Sequence, residues 1–190
     1  ESATVLPGEK AVFPVMTESL DDYTGTATFV RQYIPAGFYL TLPEIKMNST
    51  DNIVIDVDES VEAGDYTIIV NGSNGSTLEL AITVLSKETV LEPTIIQISP
   101  YSVFVGDKVT VYGYGFGKTG KLYYDGNEIE AEEWYGSAVS FIVQEDMKTG
   151  TVYLETENGK SNAAILYVRE RGFNLRPSTS EVILEKNVTK

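Results

Sequence analysis

Residues 113–120 read GYGFGKTG, a Lys-Thr pair set among glycines, and the chemistry this spacing brings to mind is phosphate binding. A nucleotide phosphate loop needs Gly-x-x-x-x-Gly-Lys-Ser/Thr, because its backbone N–H groups must wrap the phosphates while the lysine reaches them. Gly117-Lys118-Thr119 fits the end, but the position five residues before Gly117 is Tyr112. Gly115, Gly117 and Gly120 do satisfy Gly-x-Gly-x-x-Gly, which binds a dinucleotide only when a helix comes next to supply the positive end of its dipole. The residues after Gly120 are KLYYDGNEIEAEEW, with a turn at Asp125-Gly126-Asn127 and no apolar stripe at helical spacing. The stretch reads as a glycine-permissive turn between strands.

Other reactive groups are scarce. The chain has neither cysteine nor histidine, which removes thiol and imidazole nucleophiles, the Ser-His-Asp triad and thiolate or imidazole zinc sites. Paired carboxylates of the glycosidase kind need a cleft, and short strands in small sandwiches promise none, so no catalytic residue is expected. Two acidic clusters, Asp56, Asp58, Glu59 and Glu62 in one turn region and Glu128, Glu130, Glu132 and Glu133 in another, have the oxygen-rich character that calcium favours. The first is the calcium candidate, although neither matches the D-x-D-x-D-G loop, and a solvated surface accounts for both. No other cofactor is implied.

Binding chemistry is represented by aromatics and sequons. The adjacent pairs Trp134-Tyr135 and Tyr123-Tyr124 could stack on sugar rings, and Trp134 and Tyr135 are the candidates for glycan contact. Alternation along a strand turns one ring of each pair inward, so core packing competes for Trp134, the single tryptophan. Asparagine sequons stand at Asn48, Asn71, Asn74 and Asn187, the first three in expected turns where a glycan disturbs no core.

The elements that would position these residues are strands. Period-two alternation recurs in TATFVRQY, GFYLTLP, NIVIDVD, DYTIIVN, TLELAITVL, TIIQIS, KVTVYGYG, AVSFIV, TVYLETE and AAILYV, each bounded by Gly, Pro, Asn, Asp or Ser. No window holds a convincing i, i+3, i+4 apolar pattern. The fold class is therefore all-β, and 190 residues with 42% hydrophobic content suit two small sandwiches in tandem. The polar stretch SKETVLEP closes on Pro93 and marks the boundary. The expected domains are 1–85, a linker at 86–93, a second sandwich at 94–168, and 169–190 as a linker plus the first strand of a further domain or a docked terminal strand.

Charge narrows the partners. The formal charge of −14 divides into −10 for residues 1–85, −1 for 86–92, −5 for 93–168 and +2 for 169–190. Such a chain repels phosphate backbones, so nucleic acid and anionic membrane are poor partners. Residues 1–20 lack the basic start and apolar stretch of a signal peptide, and no apolar run is long enough to span a bilayer.

The motifs carry two resemblances. Pro7-Gly8-Glu9, Ile34-Pro35-Ala36-Gly37 and Ala63-Gly64-Asp65-Tyr66 make the first unit similar to the immunoglobulin-like repeats of prokaryotic surface proteins, with Tyr66 as a tyrosine corner. In the second unit, Pro93 to Pro100 (PTIIQISP), Val105-Gly106-Asp107 into KVTV, Gly113-Tyr114-Gly115-Phe116-Gly117 and Tyr124-Asp125-Gly126 resemble the IPT/TIG immunoglobulin-like family, which implies that Phe116 plugs the sandwich edge. Together they imply a structural or presenting segment of a larger extracellular surface protein, a stalk or surface-layer lattice whose partners are neighbouring domains or copies. The alternative they leave open is a carbohydrate-binding or adhesin module. DNA binding, known where IPT/TIG domains sit in transcription factors, conflicts with the charge.

Overall fold

The computed structural model describes residues 1–20 and 22–170, all as strands, turns and loops with no helix among them. The first group of strands comprises β1 (Ser2–Val5), β2 (Lys10–Met16), β3 (Thr26–Ala27), β4 (Phe29–Tyr33), β5 (Phe38–Thr41), β6 (Ile45–Lys46), β7 (Thr50–Val57), β8 (Gly64–Gly72) and β9 (Thr77–Val84). They form one sheet in the order β1-β9-β8-β4, a facing sheet β2-β7-β5, and the small pair β3-β6. The second group comprises β10 (Thr94–Ser99), β11 (Ser102–Val103), β12 (Lys108–Tyr114), β13 (Lys121–Tyr124), β14 (Asn127–Ile129), β15 (Glu133–Tyr135), β16 (Ala138–Ile142), β17 (Gly150–Thr156), β18 (Gly159–Lys160) and β19 (Ala164–Val168). Its sheets are β10-β12-β16-β15 and β11-β19-β17-β13-β14, with β18 beside β17. The chain is all-β, two immunoglobulin-like sandwiches in sequence.

Each sandwich closes on its own core, because alternation sends every second side chain inward. Phe13, Ile53, Ile55, Ile68 and Leu80 are fully buried in the first. Phe116, Leu122, Phe141, Leu154 and Leu166 fill the second. The first unit ties its first strand to its last in parallel, β1 to β9, and the second ties its second strand to its last in parallel, β11 to β19. In the second unit the leading strand changes sheets: β10 pairs with β12, and after Pro100 the chain crosses to β19 as β11. The bulge between Ile95 and Gln97 is completed by Asn162, whose amide accepts from Ile95 N at 2.7 Å and donates to Ile95 O at 3.0 Å. The Tyr66 hydroxyl donates to Glu62 O at 2.9 Å, forming the corner that the sequence suggested.

The glycine-rich stretch resolves into strand and loop. No helix leaves Gly120, and β13 begins at Lys121. Gly115 and Gly117 have φ of +73° and +64°, which only glycine adopts readily. Gly113 is held for a different reason: a Cβ there would stand 1.9 Å from Thr94 O. Phe116 is fully buried, as the resemblance implied.

Candidate functional site, the joint between the sandwiches

The sequence-nominated residues do not gather at one place. Asp56 is ion-paired to Lys10 at 2.8 Å. Asp58 Oδ1 accepts from Ser60 N at 2.8 Å and Ser60 Oγ at 2.5 Å, bonds that lower its carboxyl pKa. Glu59 faces Lys118 of the other sandwich at 3.5 Å, and Glu62 contributes its carbonyl to the tyrosine corner. In the second acidic stretch Glu128 pairs with Lys121 at 2.8 Å and Glu133 with Lys108 at 2.5 Å, the latter holding its carboxyl below the usual range. Among the described residues no three acidic side chains come together in a group that could hold a metal ion.

The sequons differ in setting. Asn48 sits exposed at φ +59° with its amide oxygen accepting from Ser19 N at 2.9 Å. Asn71 lies within β8, its Oδ1 accepting from Thr77 Oγ1 at 3.1 Å. Asn74 is exposed at the β8–β9 hairpin tip, accepting from Ser76 N at 3.0 Å and Ser76 Oγ at 2.6 Å. Asn187 lies outside the described residues.

The aromatic candidates are both engaged within the protein. Trp134 is half-buried, donates its indole N–H to Phe116 O at 3.0 Å, and lies so close to Gly120 that a Cβ there would meet its ring at 2.5 Å. Tyr135 packs against a small apolar cluster made of Val12, Tyr112 and Ala138, with Val54 also against it. That cluster contains residues of both sandwiches. It is the centre of a joint.

The joint is built on strands that are covered on both sides. In β2, Ala11, Phe13 and Val15 point into the first core, yet Val12 on the opposite face is only 5% exposed because the second sandwich lies over it. In β12 and β16 likewise, Tyr112 and Ala138 turn away from their own core and meet Val12. Burying a valine contributes roughly 1.5–3 kcal/mol, which holds the two faces together but leaves their angle loosely set.

Hydrogen bonds set the angle. Ser137 is fixed to its own domain by Gly113 N donating to its carbonyl at 2.9 Å. Its hydroxyl crosses the joint, accepting from Val12 N at 2.9 Å and donating to Lys10 O at 3.1 Å. It thereby satisfies a donor and an acceptor on the outer edge of β2, the kind of edge that invites pairing when left open. The Tyr112 hydroxyl donates to Asn52 Oδ1 of β7 at 2.6 Å, and burial raises its pKa. Lys10, already paired to Asp56, lies 5.6 Å from the Tyr135 ring centroid.

A carboxylate also lies in the joint. Glu9 is 7% exposed, its Oε2 accepts from Leu6 N at 2.9 Å, and it presses on Gly136, where a Cβ would meet Glu9 Cδ at 2.6 Å. Desolvation pushes its pKa up, opposed by the Leu6 hydrogen bond and by the charge of Lys118. Beside it an open cleft of about 580 Å³ is lined by Leu6, Glu9, Leu91, Lys118, Glu155 and Asn158 among others, so the GFGKTG loop forms one wall of the junction.

Sequence reasoning passed over Val12, Glu9, Tyr112 and Ser137. One signal was present: KAVFPVM runs apolar on consecutive positions instead of alternating, which marks a strand buried on both faces.

No protein-family model matches the chain, and no curated protein matches it. Among solved structures, domains 5–6 of the surface-layer protein SbsC align over 88% of this chain and 92% of that one, at 12% identity and a TM-score of 0.55. A larger piece of SbsC, domains 4–9, aligns over 88% of this chain and 30% of that one at 12% identity, with a TM-score of 0.54. The SGBP-B protein of the Bacteroides ovatus mixed-linkage glucan utilization locus, solved with a mixed-linkage heptasaccharide, aligns over 87% of this chain but 43% of its own, at 12% identity and a TM-score of 0.38. At these identities the likeness is one of fold. The SbsC alignment spans both sandwiches.

Proposed function

We propose that this chain is a structural, presenting segment of an extracellular cell-surface protein, a stiff two-sandwich spacer within a stalk or surface lattice. The observation that carries the reading is the joint: an apolar contact at Val12, Tyr112 and Ala138 keyed by the Ser137 and Tyr112 hydrogen bonds. A spacer must hold direction as well as length, and buried directional bonds supply orientation where apolar contact supplies only adhesion. The surface-layer setting of SbsC supports the same reading. The acidic surface keeps a crowded polymer soluble. Within it the second sandwich is an IPT/TIG-like unit, supported by the buried Phe116 and the left-handed Gly115 and Gly117. Asn74, at an open hairpin tip, is the described sequon best placed to carry a glycan.

The test is interdomain order in solution. Residual dipolar couplings from the two sandwiches should fit one alignment tensor, and small-angle scattering should give one elongated particle. Two independent tensors would refute the spacer. Selective micromolar binding on a glycan array, lost in Trp134→Ala, would replace it with a carbohydrate-binding module.

A further inference from the structure

The second sandwich has two outer faces, and the joint uses one of them. On the other, inward residues Leu122, Val152, Leu154 and Leu166 are buried, so their strand neighbours must project outward. Those neighbours are Tyr123, Tyr153, Ile165 and Tyr167, with Tyr101 standing edge-on to Tyr167 at a centroid distance of 6.4 Å. Tyr101, Ile165 and Tyr167 are 67%, 54% and 49% exposed. Tyrosines of this kind are enriched where proteins meet, and a contiguous apolar patch on a soluble surface marks a contact.

Charge and ring geometry indicate what lies on it. Two ion pairs neutralise charge on this face: Lys121 pairs with Glu128 at 2.8 Å and Lys160 with Glu155 at 3.8 Å. In a chain of net charge −14, a face whose lysines and glutamates are paired is where two copies can approach with less repulsion. A sugar is a poorer occupant, because it needs an open ring face. Tyr123 and Tyr153 are stacked on each other, centroids 4.8 Å apart and planes 9° from parallel, while Lys160 Nζ lies 3.6 Å from the Tyr153 centroid on the same ring. The Tyr153 faces are spent within the protein, leaving ring edges and hydroxyls outward. The joint itself shows that a tyrosine-bearing sheet face of this sandwich, with Tyr112 and Tyr135, docks another sandwich.

We propose that the Tyr101, Tyr123, Tyr153, Ile165 and Tyr167 face is a self-association surface, on which a second copy of this chain docks face to face about a two-fold axis. This deepens the spacer reading by naming its lateral partner and rests on that reading only for its biological setting. The test is sedimentation velocity of the full chain from about 10 μM to about 1 mM, the regime of weak complexes. A concentration-dependent dimer that strengthens with added salt is expected, since salt screens the repulsion between two acidic copies. The double variant Ile165→Lys, Tyr167→Lys should dimerise at least about tenfold more weakly, with its thermal melt unchanged because both positions are exposed. Tyr101→Lys serves as the second variant if the double one is unstable, and Tyr39→Lys on the first sandwich should associate like the wild type. A wild type that stays monomeric throughout, or surface variants that dimerise undiminished, would overturn the proposal while leaving the dipolar-coupling test of the joint untouched. Glycan binding lost in Tyr123→Ala would overturn it in favour of a sugar.

Discussion

The two outer faces of the second sandwich make an instructive pair. The face carrying Tyr112, Tyr135 and Ala138 is covered, and its polar atoms find partners across the joint. The face carrying Tyr153, Ile165 and Tyr167 is uncovered by any other described residue, and its lysines pair with glutamates of the same face. Both are rich in tyrosine. What separates them is where the hydrogen bonds go: bonds that leave the domain fix an orientation, whereas bonds that close within it leave a surface whose docking must be weak and adjustable.

That contrast can be broken in graded steps. Gly113→Ala should cost most, about 3 kcal/mol or more in urea unfolding, since its Cβ would fall 1.9 Å from a backbone oxygen that cannot move freely. Val12→Asp comes next: a charge placed at the centre of the joint should separate the sandwiches at a cost of about 2–3 kcal/mol, seen as two independent alignment tensors with both cores intact. Tyr112→Phe should lose about 1 kcal/mol, because Asn52 Oδ1 keeps its place but loses its donor.

Smaller effects sharpen the picture. The Glu9 pKa is raised in the folded protein, so its carboxyl contributes stability that is fully present below the ordinary glutamate range and lost as pH rises through the raised folded value. Stability should therefore fall across that window, and Glu9→Gln should flatten the fall when thermal melts are compared across it. Least of all, Lys118→Ala removes an ion pair at 3.5 Å between side chains 67% and 74% exposed, and a change within about 0.5 kcal/mol is expected by the same melts.

Much of this architecture is legible in the residues themselves. The alternation in NIVIDVD and TLELAITVL places Ile53, Ile55, Leu80 and Ile82 in a core without any coordinates. The Tyr66 corner is readable from its position at the start of a late strand. The joint was not legible in the same way, because Val12 and Phe13 look alike in a string. One faces its own domain and the other faces a partner 125 residues away, where Ser137 Oγ meets Val12 N. Trp134 was ambiguous for a related reason. An indole beside a glycine-rich loop is a platform or a plug according to whether that loop closes over it, and here Gly120 does.

The sequence by itself determined the strand class, the two separate cores and the absence of a nucleotide loop, because period-two patterning and the turn chemistry of glycine are local and physically strict. Tertiary structure alone decided which outer faces meet, since a face outside the core is chosen by complementarity between distant strands. Ser137 reaches Val12, and Tyr112 reaches Asn52, only once both sandwiches have folded and turned toward each other.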